Sequence, residues 1–441
     1  MQTILVAGAG KSSTYLIQYL IQNASFLKAK IVVADGSLEA ILEKTKGHPS
    51  TQAAVIDITD KNQRQALVKE ASFVFSLMPP HLHIHLAKDC LQFKKNLITS
   101  SYISPEMKEM GNAVRDAGLM FMCEMGLDPG IDHMTASHII HSIQKISGDI
   151  TSFKSYCGGL IAPESDNNPW HYKFSWNPKN VITAGVGGAQ YLKAGKKVEI
   201  PYEEMFLNNK KIKVDGLGHL AYYPNRNSLS YLEIYDLPQV KNFMRATLRY
   251  PEFCDGWNAL IQLGLTSEND NVTATKNLVS LIALKSGYSN NGSIKEHVAN
   301  FLKLRLNDEV INMLDWLGFF KEELLPEKAV SSADILLDIF LKKWAMRPLD
   351  KDMVVMQHEV EYTRRDQKNK LTSTLVINGE NREMSAMAKT VGLPMAILGK
   401  QVMLKKIVPP IGVHIPNMAS VYRPVLNELK HHGIEFVDKM E

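Results

Sequence analysis

Cysteine is scarce in this chain of 441 residues: there are four, Cys90, Cys123, Cys157 and Cys254, and no two of them form a CxxC pair. That spacing argues against a structural zinc site, and it fits a reducing cytoplasm. Long apolar runs are absent too. None approaches the ~18 unbroken apolar residues that a membrane-crossing helix needs. The N-terminal run in MQTILVAGAG has no basic residue ahead of it and breaks at glycine, so it is expected to be a strand, not a signal peptide. No dense Lys/Arg block occurs and the formal charge is only +4, which argues against nucleic acid or an anionic membrane as a partner. Internal repeats are absent as well.

What is present is an ordinary globular composition, 45% hydrophobic and 22% charged, at a length that predicts two or three domains. The first third alternates short apolar runs (TILVAGAG, KIVVADG, AAVIDITD, SFVFSLMPP, NLITSSYIS, LMFMCEMG) with helical stretches. Strands alternating with helices of that length predict a parallel sheet covered on both faces. The second third reads as strands paired across turns: DITSFKSYCGGL, KKVEIPYEEMF, KIKVDGLGHLAYYP and, later, MVVMQHEVEYTRRDQKNKLTSTLVIN. This predicts a mixed sheet. Between Pro251 and Arg347 the chain reads as mostly helical. The stretch SAMAKTVGLPMAILGKQVML is an amphipathic helix expected to return to the first domain.

Gly8-Ala9-Gly10 follows the first strand and opens a helix, where glycines allow a tight turn and a close approach of pyrophosphate to unpaired N–H groups. Ser13 stands where the fingerprint has its third glycine or alanine. Gly10-Lys11-Ser12 is not a P-loop, because Leu5 occupies the position of that motif's first glycine. Asp35 ends the second strand, where an acid meets the adenosine ribose of NAD and opposes the 2′-phosphate of NADP. Asp57, at the end of the third strand, is expected near the adenine. His81, His83 and His85 would share a face on a strand and hold a metal, but they follow Pro79-Pro80, which predicts a helix that splays them; no metal site is expected.

The stretch EMGLDPGIDH, Glu124 to His133, crowds acids and backbone breakers between the sixth strand and a helix. Ligands bind at that carboxyl edge in open α/β sheets. Gly126 and Gly130 would let backbone approach a ligand, Pro129 would stiffen the turn, Asp132 would cap the helix and His133 would pack. Asp128 is left to face the cleft.

SSYISPEM, EMGLDPGIDH, SYCGGLIAPESDNNPWHYKFSW, YPNRNS and RATLRY together resemble saccharopine reductase, the glutamate-forming saccharopine dehydrogenase family, from the first strand to the C-terminal helix. The resemblance implies an α/β fold: an N-terminal Rossmann dinucleotide-binding domain, a mixed-sheet α/β substrate domain and a small helical domain. The expected boundaries are 1–127 joined by the C-terminal helix at about 384–441, then 128–250 with 348–383, then 251–347. It implies a reversible oxidoreductase of lysine metabolism that joins 2-aminoadipate 6-semialdehyde and glutamate as an imine and reduces it to saccharopine. It implies a homodimer.

Carried over position by position, the cofactor would meet Gly8, Gly10, Lys11, Ser12 and Ser13; Ala34, Asp35, Gly36 and Ser37; Asp57, Ile58 and Met78; Ser100 and Ser101; and Leu127, Asp128 and Pro129. The substrate would meet Ser101, Tyr102, Asp128, Cys157, Gly158, Arg226, Thr247, Leu248 and Arg249. Similar proteins that use NADP carry an arginine just after the second strand; here the stretch reads ADGS, which tips the expectation slightly toward NAD.

Saccharopine carries three carboxylates, so Arg226 and Arg249 suit anchors that grip carboxylates bidentately. Asp128 and Tyr102 are the candidate proton-transfer groups, in rivalry with bound water. Cys157 would line the pocket, with no nucleophilic role. Two alternatives stand beside this reading: an imine reductase like carboxynorspermidine dehydrogenase, whose pocket should be acidic, and a non-catalytic nucleotide-binding sensor.

Overall fold

A computed structural model of the protein describes residues 1–207, 209–289, 292–326 and 329–441. They group into two compact units: Met1–Ile150 with Glu233–Leu237 and Val360–Glu441, and Thr151–Leu232 with Pro238–Glu359.

The first unit is built on strands β1 (Gln2–Ala7), β2 (Ala29–Asp35), β3 (Thr51–Val55), β4 (Phe73–Ser76), β5 (Asn96–Thr99) and β6 (Met120–Met122). All but β3 form because their apolar runs are buried without alternation: Ile4, Val6, Ala7, Ile31 and Val33 are all fully inaccessible, whereas β3, at the sheet edge, is largely exposed. All pairs are parallel, with Ile4 between Ile31 and Phe73. A seventh strand, Gly412–His414, lies parallel to β6 with Val413 opposite Phe121, giving the order Gly412–His414, β6, β5, β4, β1, β2, β3. That seventh strand is not readable in the sequence, since three residues carry no period. Pro80 to Gln92 is helical as expected, a 3-10 turn at Pro80–Leu82 running into a helix at His83–Gln92.

The helix Ala386–Met403 packs on this unit as expected. A Cβ at Gly392 would lie 2.7 Å from Leu16 N, and one at Gly399 would lie 2.2 Å from the Phe75 ring. Two glycines on one helix therefore set how closely it approaches the first helix (Thr14–Gln22) and β4.

The second unit holds most of β7 (Asp149–Ile161), then β8 (Ala189–Lys193), β9 (Lys196–Ile200), β10 (Lys210–Val214), β11 (Gly218–Pro224) and β12 (Asn242–Arg249). β12 runs parallel to β7 and antiparallel to β11, so the sheet is mixed, as expected. KKVEIPYEEMF is a strand only through Ile200; Pro201, which cannot continue a ladder, turns it into a short 3-10 helix at Tyr202–Glu204. β13 (Asp352–Arg364) carries the chain from this unit into the first, where β14 (Gln367–Asn378) pairs antiparallel with Val437–Met440.

The helices between Pro251 and Lys343 share one apolar cluster with Ala221 and Tyr223 of β11. Its centre is aromatic: Phe340 stacks on Trp344 at 3.7 Å, and Trp170 meets Trp344 edge-on at 5.5 Å. Among the described residues no helix is long and apolar enough to cross a membrane, and no group of three or more His, Cys, Asp or Glu is placed to hold a metal ion.

Candidate active site

At the carboxyl end of β1 the chain turns sharply. Gly8 sits at φ +104°, and a Cβ there would be 2.9 Å from Leu77 O, so glycine is required by both conformation and space. Gly10 differs: a Cβ there would meet nothing within 4 Å, which leaves open space above the turn for a ligand. The Ser13 hydroxyl donates to Gly10 O at 2.8 Å and is buried, so it braces the turn. Lys11–Ser13 form a 3-10 turn ahead of the helix.

Asp35 ties the second strand to this turn. Its Oδ2 accepts the Ala9 N–H at 2.8 Å and its Oδ1 accepts the Ser37 N–H at 3.0 Å. Ser37 in turn caps the helix Leu38–Thr45 by accepting the Ala40 N–H. Beside them a cleft of about 440 Å³ is lined by Ala34, Asp35, Gly36, Asp57, Ile58 and Met78 of the sequence-derived set, together with Val55, Ile56 and Gln63. The Thr59 hydroxyl and N–H hold the exposed Asp57 carboxyl below the usual carboxylate range. The open turn and the adjoining cleft fit the pyrophosphate and adenosine ends of a dinucleotide.

EMGLDPGIDH zips onto the end of β5. Glu124 N–H donates to Ser101 O at 3.0 Å and Met125 N–H to Thr99 O at 3.0 Å. The turn then closes on itself, Gly126 N–H to Pro129 O and Ile131 N–H to Gly126 O, both 2.9 Å, with a cis Asp128-Pro129 peptide. Its glycines serve this self-contact. A Cβ at Gly130, at φ +148°, would lie 2.1 Å from Gly126 O, and one at Gly126 would lie 3.1 Å from Ser100 Cβ. Gly130 therefore admits the turn's own backbone, where the sequence suggested a ligand.

A second correction concerns Asp132. The helix begins at Ile131 with Gly130 as its N-cap, so Asp132 lies in the first turn, where its Oδ1 accepts the Gly130 N–H at 2.6 Å. The cap falls two residues earlier than expected, at Gly130, whose φ of +148° is closed to other residues. His133 packs, as expected, but in a polar network: Nε2 lies 2.8 Å from Glu124 Oε2 and Nδ1 lies 2.5 Å from Tyr235 Oη, all buried.

From Leu119 to Ser137 every residue is buried except Asp128, which is half-buried. The Tyr102 hydroxyl donates to its Oδ1 at 3.3 Å. The structure thus brings together Ser100, Ser101, Tyr102, Leu127, Asp128 and Pro129 at one sheet edge. It adds a residue that the reading of HLHIH set aside: His83, whose ring lies 2.7 Å from both Ser76 Oγ and Ser101 Oγ.

In the second unit, Met244, Ala246 and Leu248 of β12 point into an apolar cluster, so Phe243, Arg245, Thr247 and Arg249 share the other face. Register sets Arg245 beside Ser155, Thr247 beside Cys157, and Tyr223 on the far side of Thr247. Arg249 is 3% exposed, lies 5.3 Å over the Tyr172 ring, and donates from Nη1 to Leu248 O at 2.8 Å; its Nε is buried without a hydrogen-bond partner. Leu248 itself faces the core, and Gly158 has no room for a Cβ, which would be 2.6 Å from Leu248 O. Arg226 sits on an exposed turn at φ +50°. Arg245, buried and 4.4 Å from the Tyr231 ring, is a cation missed in the sequence, although the alternation RATLR signals it.

Comparison with known proteins bears on this geometry. Residues 4–122 match the saccharopine dehydrogenase NADP binding domain, and residues 126–434 match the saccharopine dehydrogenase C-terminal domain. The chain is 34% identical over 446 residues to the mitochondrial alpha-aminoadipic semialdehyde synthase of Rattus norvegicus, covering 98% of this chain and 47% of that protein. It thus spans about half the length of the animal and plant relatives it matches. It is 31% identical to saccharopine dehydrogenase [NADP(+), L-glutamate-forming] of Pyricularia oryzae, over 100% of this chain and 99% of that one. A solved structure of apo saccharopine dehydrogenase (L-Glu forming) from Saccharomyces cerevisiae superposes with a TM-score of 0.89 at 29% identity, covering 100% of both chains. The chain belongs to the saccharopine dehydrogenase family.

Proposed function

We propose that the protein interconverts saccharopine with L-glutamate and 2-aminoadipate 6-semialdehyde through an imine, with NADP as its cofactor. The observation that carries this is Asp128, the half-buried carboxylate in an otherwise buried strand-turn-helix at the carboxyl edge of the nucleotide sheet. The nicotinamide, when bound, supplies hydride transfer at carbon. Oxidation of the secondary amine also releases a proton from nitrogen. Asp128 accepts it, with the Tyr102 hydroxyl keeping the carboxylate oriented. Water then adds to the imine carbon, and collapse of the carbinolamine returns a proton to the departing glutamate nitrogen. Arg249 and Arg245, on the same face of β12, anchor carboxylates.

In this reading residues 1–127 with 384–441 bind the nucleotide, 128–250 with 348–383 bind the substrate, and 251–347 buttress the substrate sheet, which the shared apolar cluster supports. A reducing cytoplasm suits the four buried free thiols. The homodimer belongs to the same reading and is checked by sedimentation.

NADP is preferred to NAD for two reasons. The matched domain and the full-length fungal relatives carry NADP in their names. In addition, both Asp35 oxygens are engaged by backbone N–H groups, Oδ2 by Ala9 of the turn and Oδ1 by Ser37 after β2, which makes Asp35 a brace more than a ribose selector. Lys11 is held below the usual lysine range by burial, then by Arg382 and Lys44 beside it. A phosphate dianion there would relieve that crowding of cations, standing in for the absent arginine after β2.

The test is nicotinamide absorbance on mixing purified protein with saccharopine. Reduction with NADP and little with NAD is expected. Silence with saccharopine but turnover of carboxynorspermidine would move the protein to the polyamine imine reductases, and binding of cofactor without any turnover would make it a sensor.

A further inference from the structure

His83 opens the helix His83–Gln92, and its ring is 4% exposed between the ends of β4 and β5. Four contacts surround it. Nδ1 lies 2.7 Å from Ser76 Oγ and 3.1 Å from Thr99 Oγ1; Nε2 lies 2.7 Å from Ser101 Oγ and 3.3 Å from Thr99 Oγ1. Burial pushes the imidazole down to about 4, with His81 adding to the shift, so the ring is neutral at physiological pH. A neutral imidazole has one N–H and one lone pair, and what surrounds each nitrogen decides which is which. The Thr99 hydroxyl lies near both nitrogens and does not choose between them, but the Ser76 hydroxyl is fully buried against Nδ1, and a buried hydroxyl seeks an acceptor. Nδ1 is then the acceptor and Nε2 carries the proton.

We propose that His83 is a positioning residue: its Nε2–H donates to Ser101 Oγ, fixes that oxygen, and leaves the Ser101 hydroxyl proton to be donated outward to the bound ligand. The Ser101 backbone is already pinned, its N–H donating to Thr99 Oγ1 at 3.3 Å and its C=O accepting from Glu124. His83 removes the one remaining freedom, rotation of the hydroxyl. A hydroxyl so oriented before the ligand arrives loses no rotational freedom on binding and presents a donor at the carboxyl edge of the sheet. The inference rests on the reading above that Ser101 touches cofactor or substrate, which nothing about His83 itself requires.

A double-mutant cycle separates the two. Ser101→Ala, His83→Phe and the double variant are compared in kcat/KM, each checked for folding by thermal unfolding. S101A and H83F should each lower kcat/KM by about tenfold, the worth of one well-made hydrogen bond, and the double variant should fall no further than either. His83→Gln, which keeps an amide N–H near the Nε2 position, should recover activity to within about threefold of wild type, while His83→Asn should not. If H83F fails to fold, the contrast between H83Q and H83N carries the test. Additive losses in the double variant, or equal losses in H83Q and H83N, overturn the positioning role of His83. A silent S101A overturns the placement of Ser101 in the site, and the inference with it.

Discussion

The Tyr102 hydroxyl donates to Asp128 Oδ1 across 3.3 Å, joining the segment that follows β5 to the turn that follows β6. Two neighbouring strand ends thereby deliver a phenol and a carboxylate to the same edge, where the proposed reaction needs a proton to leave and enter the substrate nitrogen. Asp128→Asn keeps the shape and removes the proposed base. It should lower kcat by about 100-fold with a smaller change in KM, while Tyr102→Phe should cost about tenfold; steady-state kinetics of saccharopine oxidation checks both.

Gly130→Ala should destabilise the protein by about 3 kcal/mol or more. Its φ of +148° is closed to a side chain, and the new Cβ would overlap Gly126 O at 2.1 Å. Chemical denaturation measures the loss, and a wild-type midpoint would refute the account of the turn.

Arg249→Ala should raise KM for saccharopine by about 10- to 100-fold, the worth of a charge-assisted hydrogen bond in a dry setting, with kcat less affected. Arg249→Lys should recover little, because a point charge replaces a planar fork held over Tyr172. Arg249 is also buried, so a thermal melt must accompany the kinetics.

Lys11→Ala should raise KM for NADP by about tenfold and leave KM for NAD within about twofold. An equal change for both cofactors would place Lys11 at the pyrophosphate instead of the 2′-phosphate.

His83 also predicts an acid limb in stability. Its folded pKa of about 4 lies below the ordinary 6.5, so the unfolded chain binds the extra proton first. Stability is full above about pH 6.5 and falls by roughly 3 kcal/mol as pH drops toward 4. Denaturant midpoints at pH 7.5 and 4.5 should therefore differ less in H83Q than in the wild-type protein.

The sequence by itself determined the alternation of β1, β2 and β4 to β6 with helices, since buried parallel strands must be continuous apolar runs. It also determined the glycine turn after β1 and the special character of EMGLDPGIDH, because backbone breakers between a strand and a helix are local signals. The tertiary structure decided what each glycine is for. Gly130 makes room for Gly126 O, and Gly392 and Gly399 make room for Leu16 and Phe75, the last two contacts spanning more of the chain than any window of sequence contains. It also decided that Asp35 braces Ala9, that His83 turns inward to Ser101, and that Gly412–His414 joins the sheet beside β6. A side chain's partners across the sheet are set by register and packing, and these come into being only when the strands meet.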